Sequence, residues 1–456
     1  MKNDGVYSLP PLPDWAYHAQ WWHLYPLGAL GADTTGQDFS CQATLRDLIP
    51  WLDHARDLGL NGLALGPIFK SELHGYDTIS YFEIDPRIGT LEDFTALVNA
   101  AHERGFKIML DGVFNHVSKN YEWHDTDPKE FLKQAEDGSI AIFEGHGQLQ
   151  ELDWKKTLTQ DLVKEVLTFW TKLGVDAWRL DAAYALEGAE LAKVISDFTA
   201  QHPQTFFVGE FIHGDYPQML STAKLQTCTQ YELWKAIWSA LKDNNLYELA
   251  WATTRHNAFL ESFIPWTFIG NHDVTRIATQ VGLPKAMLAV VLLATYPGLP
   301  AVYYGDELGF EGLKEERFGG DDAIRPRLPQ EVPSDAERPE IFRHYQQLLG
   351  LRRRFPQIVN GRVQILAVAG SAYAYAVLDE NQQAVLVVAL NSGEQHASLP
   401  LGENLANLQK SAPNDQALFA PLPHFDSSSY LGGKDAGINQ NTIELDPHTW
   451  MIWQAK

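Results

Sequence analysis

Between Trp21 and Arg354 eight short apolar stretches are interleaved with longer amphipathic segments. That alternation restricts the chain more than any other feature. A strand and an amphipathic helix each present an apolar face that only a layered α/β packing covers. The pattern predicts strands at Trp21–Leu30, Leu60–Ile68, Phe106–Val117, Val175–Ala183, Thr205–Phe211, Gln226–Tyr231, Phe263–Asn271 and Ala301–Gly305. Helices are expected at Leu45–Leu58, Leu91–Arg104, Asp161–Leu173, Ala189–Gln201, Leu233–Trp251, Pro284–Thr295 and Ile341–Arg354. Eight strands interleaved with helices in this way suggest a closed (β/α)8 TIM barrel rather than an open doubly wound sheet. No Gly-x-Gly-x-x-Gly opens the first helix, which weakens the dinucleotide-binding alternative.

The remainder of the chain divides around that barrel. Residues 1–20, with Pro10, Pro11 and Pro13, read as a lead-in, and residues 21–117 and 161–356 as the barrel. Residues 118–160, rich in Asp, Glu, His and aromatic residues and poor in periodicity, read as a small subdomain inserted after the third strand. After Pro356 the helical pattern stops. Val363–Val368, Ala372–Leu378, Ala384–Leu390 and Thr449–Trp453 alternate with turn residues, so residues 357–456 are expected to form an antiparallel β-sandwich. The polar stretch Asn404–Asn441 reads as a long loop within it.

Composition narrows the partners. The 58 acidic residues exceed the 35 basic ones by 23, which argues against nucleic acid or an anionic membrane and favours a neutral ligand. The chain has 14 Trp, 17 Tyr and 22 Phe, flat faces that suit stacking on sugar rings, although most such rings are core. Cys41 and Cys228 form neither a metal-type spacing nor a disulfide framework. The longest apolar run, Ala286–Tyr296, is too short to span a membrane, and the N-terminus lacks the apolar core of a signal peptide. The expectation is a cytoplasmic protein.

Val175–Ala183 is mostly apolar yet holds Asp176, Arg179 and Asp181. Burying a carboxylate is costly without a partner. Arg179 lies two residues from Asp181, on the same side of an extended strand, where it would keep the carboxylate ionised as a nucleophile requires. A structural ion pair at a strand end is the alternative. The other strand ends discriminate between them, because a barrel carries its chemistry at the C-terminal ends of its strands. His74-Gly-Tyr-Asp77 follows the second strand, Asp111-Gly-Val-Phe-Asn-His116 ends the third, Val208-Gly-Glu210 the fifth and Gly270-Asn-His-Asp273 the seventh. Asp181, Glu210 and Asp273 form a carboxylate set of the kind that glycoside cleavage needs. Phosphoryl transfer would require a cationic cradle, which the sequence lacks.

Asp111–His116, Gly174–Asp181, Val208–Glu210 and Phe268–Asp273 resemble the four signature regions of the α-amylase family of glycoside hydrolases, in that family's order. Glu151-Leu-Asp-Trp154 resembles its further motif near the end of the inserted domain. The resemblance implies that Asp181 is the nucleophile, Glu210 the general acid/base and Asp273 the carboxylate that holds the sugar hydroxyls. It further implies Arg179 beside the nucleophile, His116 and His272 as hydroxyl ligands, Tyr76 as the platform under the cleaved sugar, and His74 within reach of it. Asp111 and Asn115 are read as hydrogen-bonding within the barrel rim. The implied mechanism is retaining, with the Asp181 and Glu210 carboxyls about 5–5.5 Å apart.

Within the family, the loop His74–Pro86 and the stretches Gly209–His213 and Tyr296–Glu307 are similar to the cyclomaltodextrinase and neopullulanase-like group, without its N-terminal domain. That group acts on short α-1,4-glucans. Tyr184 and Ala185 stand where secreted α-amylases carry a Lys-His pair, Ile212 where the group often has Trp, and Leu73 where exo-α-glucosidases have an acid. Hydrolysis of malto-oligosaccharides is therefore expected. Transglycosylation by the same residues is the alternative, and a non-catalytic binding or scaffold protein a remote one. No cofactor is required. A structural calcium ion is left open, with Asn115, Asp125, Asp127 and Asp153 as the oxygen donors in question. Monomer and homodimer also stay open.

Overall fold

A computed structural model describes residues 7–317, 319–402, 419–426, 438–439 and 442–455. They fall into two compact units, Met1–Thr229 with Lys314–Pro333, and Gln230–Leu313 with Ser334–Lys456.

The first unit holds six short parallel strands: β1 (Trp21–Leu24), β2 (Gly62–Leu65), β3 (Lys107–Gly112), β4 (Ala177–Leu180), β5 (Phe206–Gly209) and β6 (Thr227–Cys228). Each pairs with the next in chain order. Helices α1 (Ile49–Asp57), α2 (Leu91–Glu103), α3 (Thr157–Lys172), α4 (Gly188–Gln201) and α5 (Tyr216–Ala223) alternate with them. Thr90 opens α2 with a capping box closed by Asp93, satisfying two backbone donors at its start. Gly62 lies opposite Trp21, where a Cβ would come within 2.5 Å of the indole, so this register requires glycine.

The strands are shorter than the apolar runs suggest. The first stops at Leu24 because Pro26 starts a one-turn helix, Pro26–Ala29, which needs no N–H at its first position. The third stops at Gly112. The chain then enters the insertion, where His116–Ser118 pairs antiparallel with Leu149–Glu151.

The second unit holds the parallel pair β7 (Trp266–Phe268) and β8 (Leu299–Tyr303), with helices α6 (Tyr231–Asp243), α7 (Leu246–Leu260), α8 (Leu283–Thr295) and α9 (Glu340–Arg354). The single helix expected over Leu233–Trp251 is two. Asn244 takes a left-handed φ of 54° at the end of α6, a conformation asparagine tolerates and a periodicity count does not register. Ala286–Thr295 of α8 is buried throughout.

The C-terminal part contains strands β9 (Arg362–Ala369), β10 (Ala372–Leu378), β11 (Ala384–Asn391), β12 (Ala397–Pro400), β13 (Phe419–Asp426), β14 (Ile438–Asn439), β15 (Thr442–Leu445) and β16 (Thr449–Ala455). They make a five-stranded sheet, β9-β10-β11-β16-β13, and a three-stranded one, β12-β15-β14, both antiparallel. One core joins them: Ala374, Ala376, Val387, Met451 and Trp453 from the first with Leu399, Ile443 and Leu445 from the second. This is the expected sandwich. The stretch expected to be loop, Asn404–Asn441, contains β13 and β14, and the rest of it lies outside the described residues.

Candidate active site

In the first unit the ladder places the charged residues. Asp111 of β3 lies opposite Arg179 of β4, and Leu180 opposite Gly209 of β5. Beyond the strand ends the pairing runs one step further, with Asp181 N–H donating to Gly112 O (3.0 Å) and Glu210 N–H to Leu180 O (2.9 Å). Asp111, Asp181 and Glu210 therefore emerge together at the C-terminal ends of three neighbouring strands. All three are buried, as is Arg179.

The guanidinium of Arg179 gathers them. Its Nη1 lies 2.6 and 2.7 Å from the two oxygens of Asp111 and 3.4 Å from Asp181 Oδ1. Its Nη2 lies 2.6 Å from Glu210 Oε1. The sequence reading paired Arg179 with Asp181. That contact is present, and the neighbouring strand brings Asp111 closer still. Asp111 is thus more than a rim residue: it also accepts a hydrogen bond from the Tyr76 hydroxyl at 3.0 Å. Burial disfavours the charge on Arg179, and Asp111, Glu210, Tyr76 and Asp181 outweigh that, so its pKa is held well above the ordinary value.

Ala182 follows at φ 45° and ψ 37°, a left-handed turn for a residue with a Cβ, and its N–H donates to Glu210 Oε2 at 3.0 Å. Such local strain is characteristic of functional sites.

Around the cluster, Tyr76 is half-buried and His116 buried, with His116 Nε2 2.9 Å from Tyr76 O. Burial pulls the His116 pKa down to about 4, leaving a neutral ring at pH 7. His74 is half-buried, its Nδ1 accepting from Tyr76 N–H at 3.3 Å. Beside His74 and Tyr76 lies a cavity of about 240 Å³, also lined by Thr34, Arg317, Asp321 and Arg325. Asp321 and Arg325 pair at 2.9 Å. The sequence reading missed them. The signal was present in Gly319-Gly-Asp-Asp-Ala-Ile-Arg325, a turn followed by an acid and a base one helical turn apart.

In the second unit, His272 and Asp273 follow β7, with His272 Nε2 3.0 Å from Asp273 Oδ2. Asn271 Oδ1 accepts from Asp273 N–H (2.9 Å), and its amide donates to the Tyr231 hydroxyl (2.8 Å). His272 is buried and a third of the Asp273 side chain is exposed.

Chemically, a buried guanidinium shared by three carboxyls at strand ends can organise nucleophilic attack and proton transfer at one carbon. The model of the alpha amylase catalytic domain matches residues 31–138 and 136–342.

The chain belongs to the alpha-amylase family.

It is thus a glycoside hydrolase. A cyclomaltodextrinase of Geobacillus thermopakistaniensis is 27% identical over 91% of this chain and 76% of that protein. Neopullulanase 2 of Thermoactinomyces vulgaris is 26% identical over 85% and 72%. The crystal structure of the alpha-amylase from H. orenii superposes with a TM-score of 0.77 at 21% identity, covering 96% of this chain and all of that one. That likeness shows the fold, a (β/α)8 barrel with a C-terminal β-domain.

Among the described residues no group of three or more His, Cys, Asp or Glu is arranged to hold a metal ion. Asp127 and Asp153 instead accept from the backbone N–H groups of Lys129 and Lys155. Of the insertion's aromatic residues, Tyr121 and Trp154 are buried, Trp154 donating to Phe114 O at 3.0 Å, so both are packing. Trp123 stacks on Phe131. No described helix is long and apolar enough to cross a membrane.

Proposed function

We propose that the protein is a retaining α-glycosidase acting on α-1,4-linked malto-oligosaccharides or short α-glucans. The observation that carries this reading is the convergence of Asp111, Asp181 and Glu210 on Arg179 at the ends of β3, β4 and β5. Glycoside cleavage needs one carboxyl that attacks and another that delivers a proton, and this set supplies candidates for both roles.

In this reading an Asp181 oxygen attacks the anomeric carbon as its bond to the glycosidic oxygen breaks, and Glu210 gives its proton to that oxygen. Water then attacks the same carbon from the vacated side. Glu210 takes the water's proton, and the bond to Asp181 breaks. Arg179 holds the carboxylates in place. Tyr76, His74, His116 and His272 bind the sugar, and Asp273 is the third carboxylate. The relatives named for cyclomaltodextrin and pullulan substrates support a neutral α-glucan, as does the net charge of −23.

The test is a product time course on maltotriose through maltohexaose, with the anomeric configuration followed by NMR. Shorter sugars released in the α-configuration are expected. Products initially in the β-configuration would overturn the retaining reading, and products longer than the substrate would identify a transglycosylase instead.

A further inference from the structure

His272 and Asp273 stand in a stretch without regular structure, residues 269–276, between β7 and the short helix Ile277–Val281. No ladder fixes such a stretch, yet a carboxylate that acts on a substrate must be held to within about 0.5 Å. One buried side chain grips it at both ends. Asp306 lies in the one-turn helix Asp306–Leu308 after β8, with Oδ1 2.8 Å from Nη1 of Arg276 at the far end of the stretch. Its Oδ2 lies against Gly270 at the near end, where a Cβ would come within 2.7 Å of that oxygen.

Arg276 is itself fixed. It is buried, and its Nη1 also donates to Tyr304 O at 2.7 Å. The guanidinium lies over the rings of Tyr303 and Phe310, 4.3 and 5.6 Å from their centres. Its backbone N–H donates to Gly312 O at 3.0 Å. Burial pushes the Asp306 carboxyl up to about 6, against the pull of Arg276 and with a further push from Glu307, so at neutral pH it is mainly a carboxylate. A buried ion pair is a costly means of gaining stability, and this one leaves Oδ2 without a hydrogen-bond partner among the described residues. What the pair secures is position, because one group at the end of β8 holds residues 270 and 276 on either side of Asp273.

We infer that Asp306 and Arg276 are positioning residues that set Asp273 for catalysis by clamping the loop after β7 to the end of β8. They act through Asp273 rather than on the sugar. This rests on the catalytic reading above, in which Asp273 is the third carboxylate.

The experiment is a double-mutant cycle at neutral pH on α-maltosyl fluoride, whose leaving group departs without a proton, at temperatures where each variant is folded. Asp306→Ala removes the clamp. It also deprives a buried cation of its carboxylate and should melt below the wild type. Gly270→Ala keeps both charges, pushes the loop off Oδ2, and carries the test by itself where Asp306→Ala does not fold. In each variant kcat should fall about tenfold or more, with KM within about twofold. In an Asp273→Ala background the same changes should cost less than about twofold, because the group they misplace is gone. An equal loss in both backgrounds, a loss confined to KM, or a Gly270→Ala enzyme of normal kcat would overturn the inference. An Asp273→Ala enzyme of wild-type rate would instead overturn the catalytic reading beneath it.

Discussion

Arg179 sets one guanidinium nitrogen 2.6 and 2.7 Å from the two oxygens of Asp111 and 3.4 Å from Asp181, so a residue outside the proposed catalytic pair anchors the cation between them. Its second nitrogen is then free to reach Glu210 at 2.6 Å. A lysine offers one charge centre and cannot span both directions. Arg179→Lys should therefore lower kcat on maltotriose by about a hundredfold or more. Asp111→Asn, which keeps the shape and loses the charge, should lower it less. Steady-state kinetics on both variants check this, and an Arg179→Lys enzyme of normal kcat would remove Arg179 from the machinery.

The acid and the nucleophile are separable by their leaving groups. Glu210→Ala should lose about 10²–10⁴ in rate on maltotriose, the usual contribution of a general acid. It should lose far less in the first step on α-maltosyl fluoride, since fluoride departs without a proton. Added azide should then accelerate turnover by attacking the glycosyl-enzyme intermediate, giving an α-configured glycosyl azide. In Asp181→Ala the azide takes the place of the missing nucleophile, and the product should be the β-azide. NMR of the two products decides the assignment, and the same anomer from both variants would contradict it.

Stability should fall as the pH drops from about 6.5 toward 4. Burial pulls His116, His256 and His344 down to about 4, against about 6.5 in the unfolded chain. Between those values the unfolded state binds more protons, so each histidine costs on the order of 3 kcal/mol by pH 4. Asp306 works the other way. Burial raises its carboxyl to about 6, despite Arg276 at 2.8 Å, so the folded state binds the proton first and gains on the order of 3 kcal/mol as the pH falls below 6. Three groups against one leave a net loss. His344→Gln, which can still donate to Met287 O, should show a smaller drop in melting temperature between pH 7 and 5 than the wild type. An identical drop would exclude His344 as a contributor.

The fold was legible because each strand and helix announces its own period, and the polar ends of β3, β4 and β5 stood out against apolar runs. Asp181 and Glu210 are neighbours through the parallel register, which barrel topology implies without any distance being known. What the sequence withheld depends on contacts across strands or between loops. Asp111 was visible as a residue, yet its claim on Arg179 comes from lying opposite it on β3. Glu144 and Phe143 sit in a stretch without periodicity, and their contacts to Tyr184 and His116 span about 40 and 27 residues of chain. The break between α6 and α7 turns on one asparagine conformation. Strands β13 and β14 lie in a stretch whose polarity looks like loop.

Arg352 tests a purely structural charge. It is buried in α9 and donates to the carbonyls of Ala294 (3.0 Å), Tyr296 (2.7 Å) and Gly298 (2.5 Å), at and just beyond the C-terminal end of α8. Burial pulls its pKa down to about 9, so it remains a cation at neutral pH. Ala294 O, in the last turn of α8, lacks a helical partner and carries the negative end of the helix dipole, which favours a buried guanidinium beside it with no carboxylate paired to it among the described residues. Arg352→Met keeps the side-chain length, removes the donors and leaves several buried carbonyls unsatisfied. Hydrogen bonds to a charged group contribute roughly 1.5–3 kcal/mol each, so the loss should be on the order of 3–5 kcal/mol. A melting temperature several degrees below wild type is expected, with kcat unchanged at temperatures where the variant is folded. A variant that melts with the wild type would mean that water satisfies these carbonyls as well as the guanidinium does.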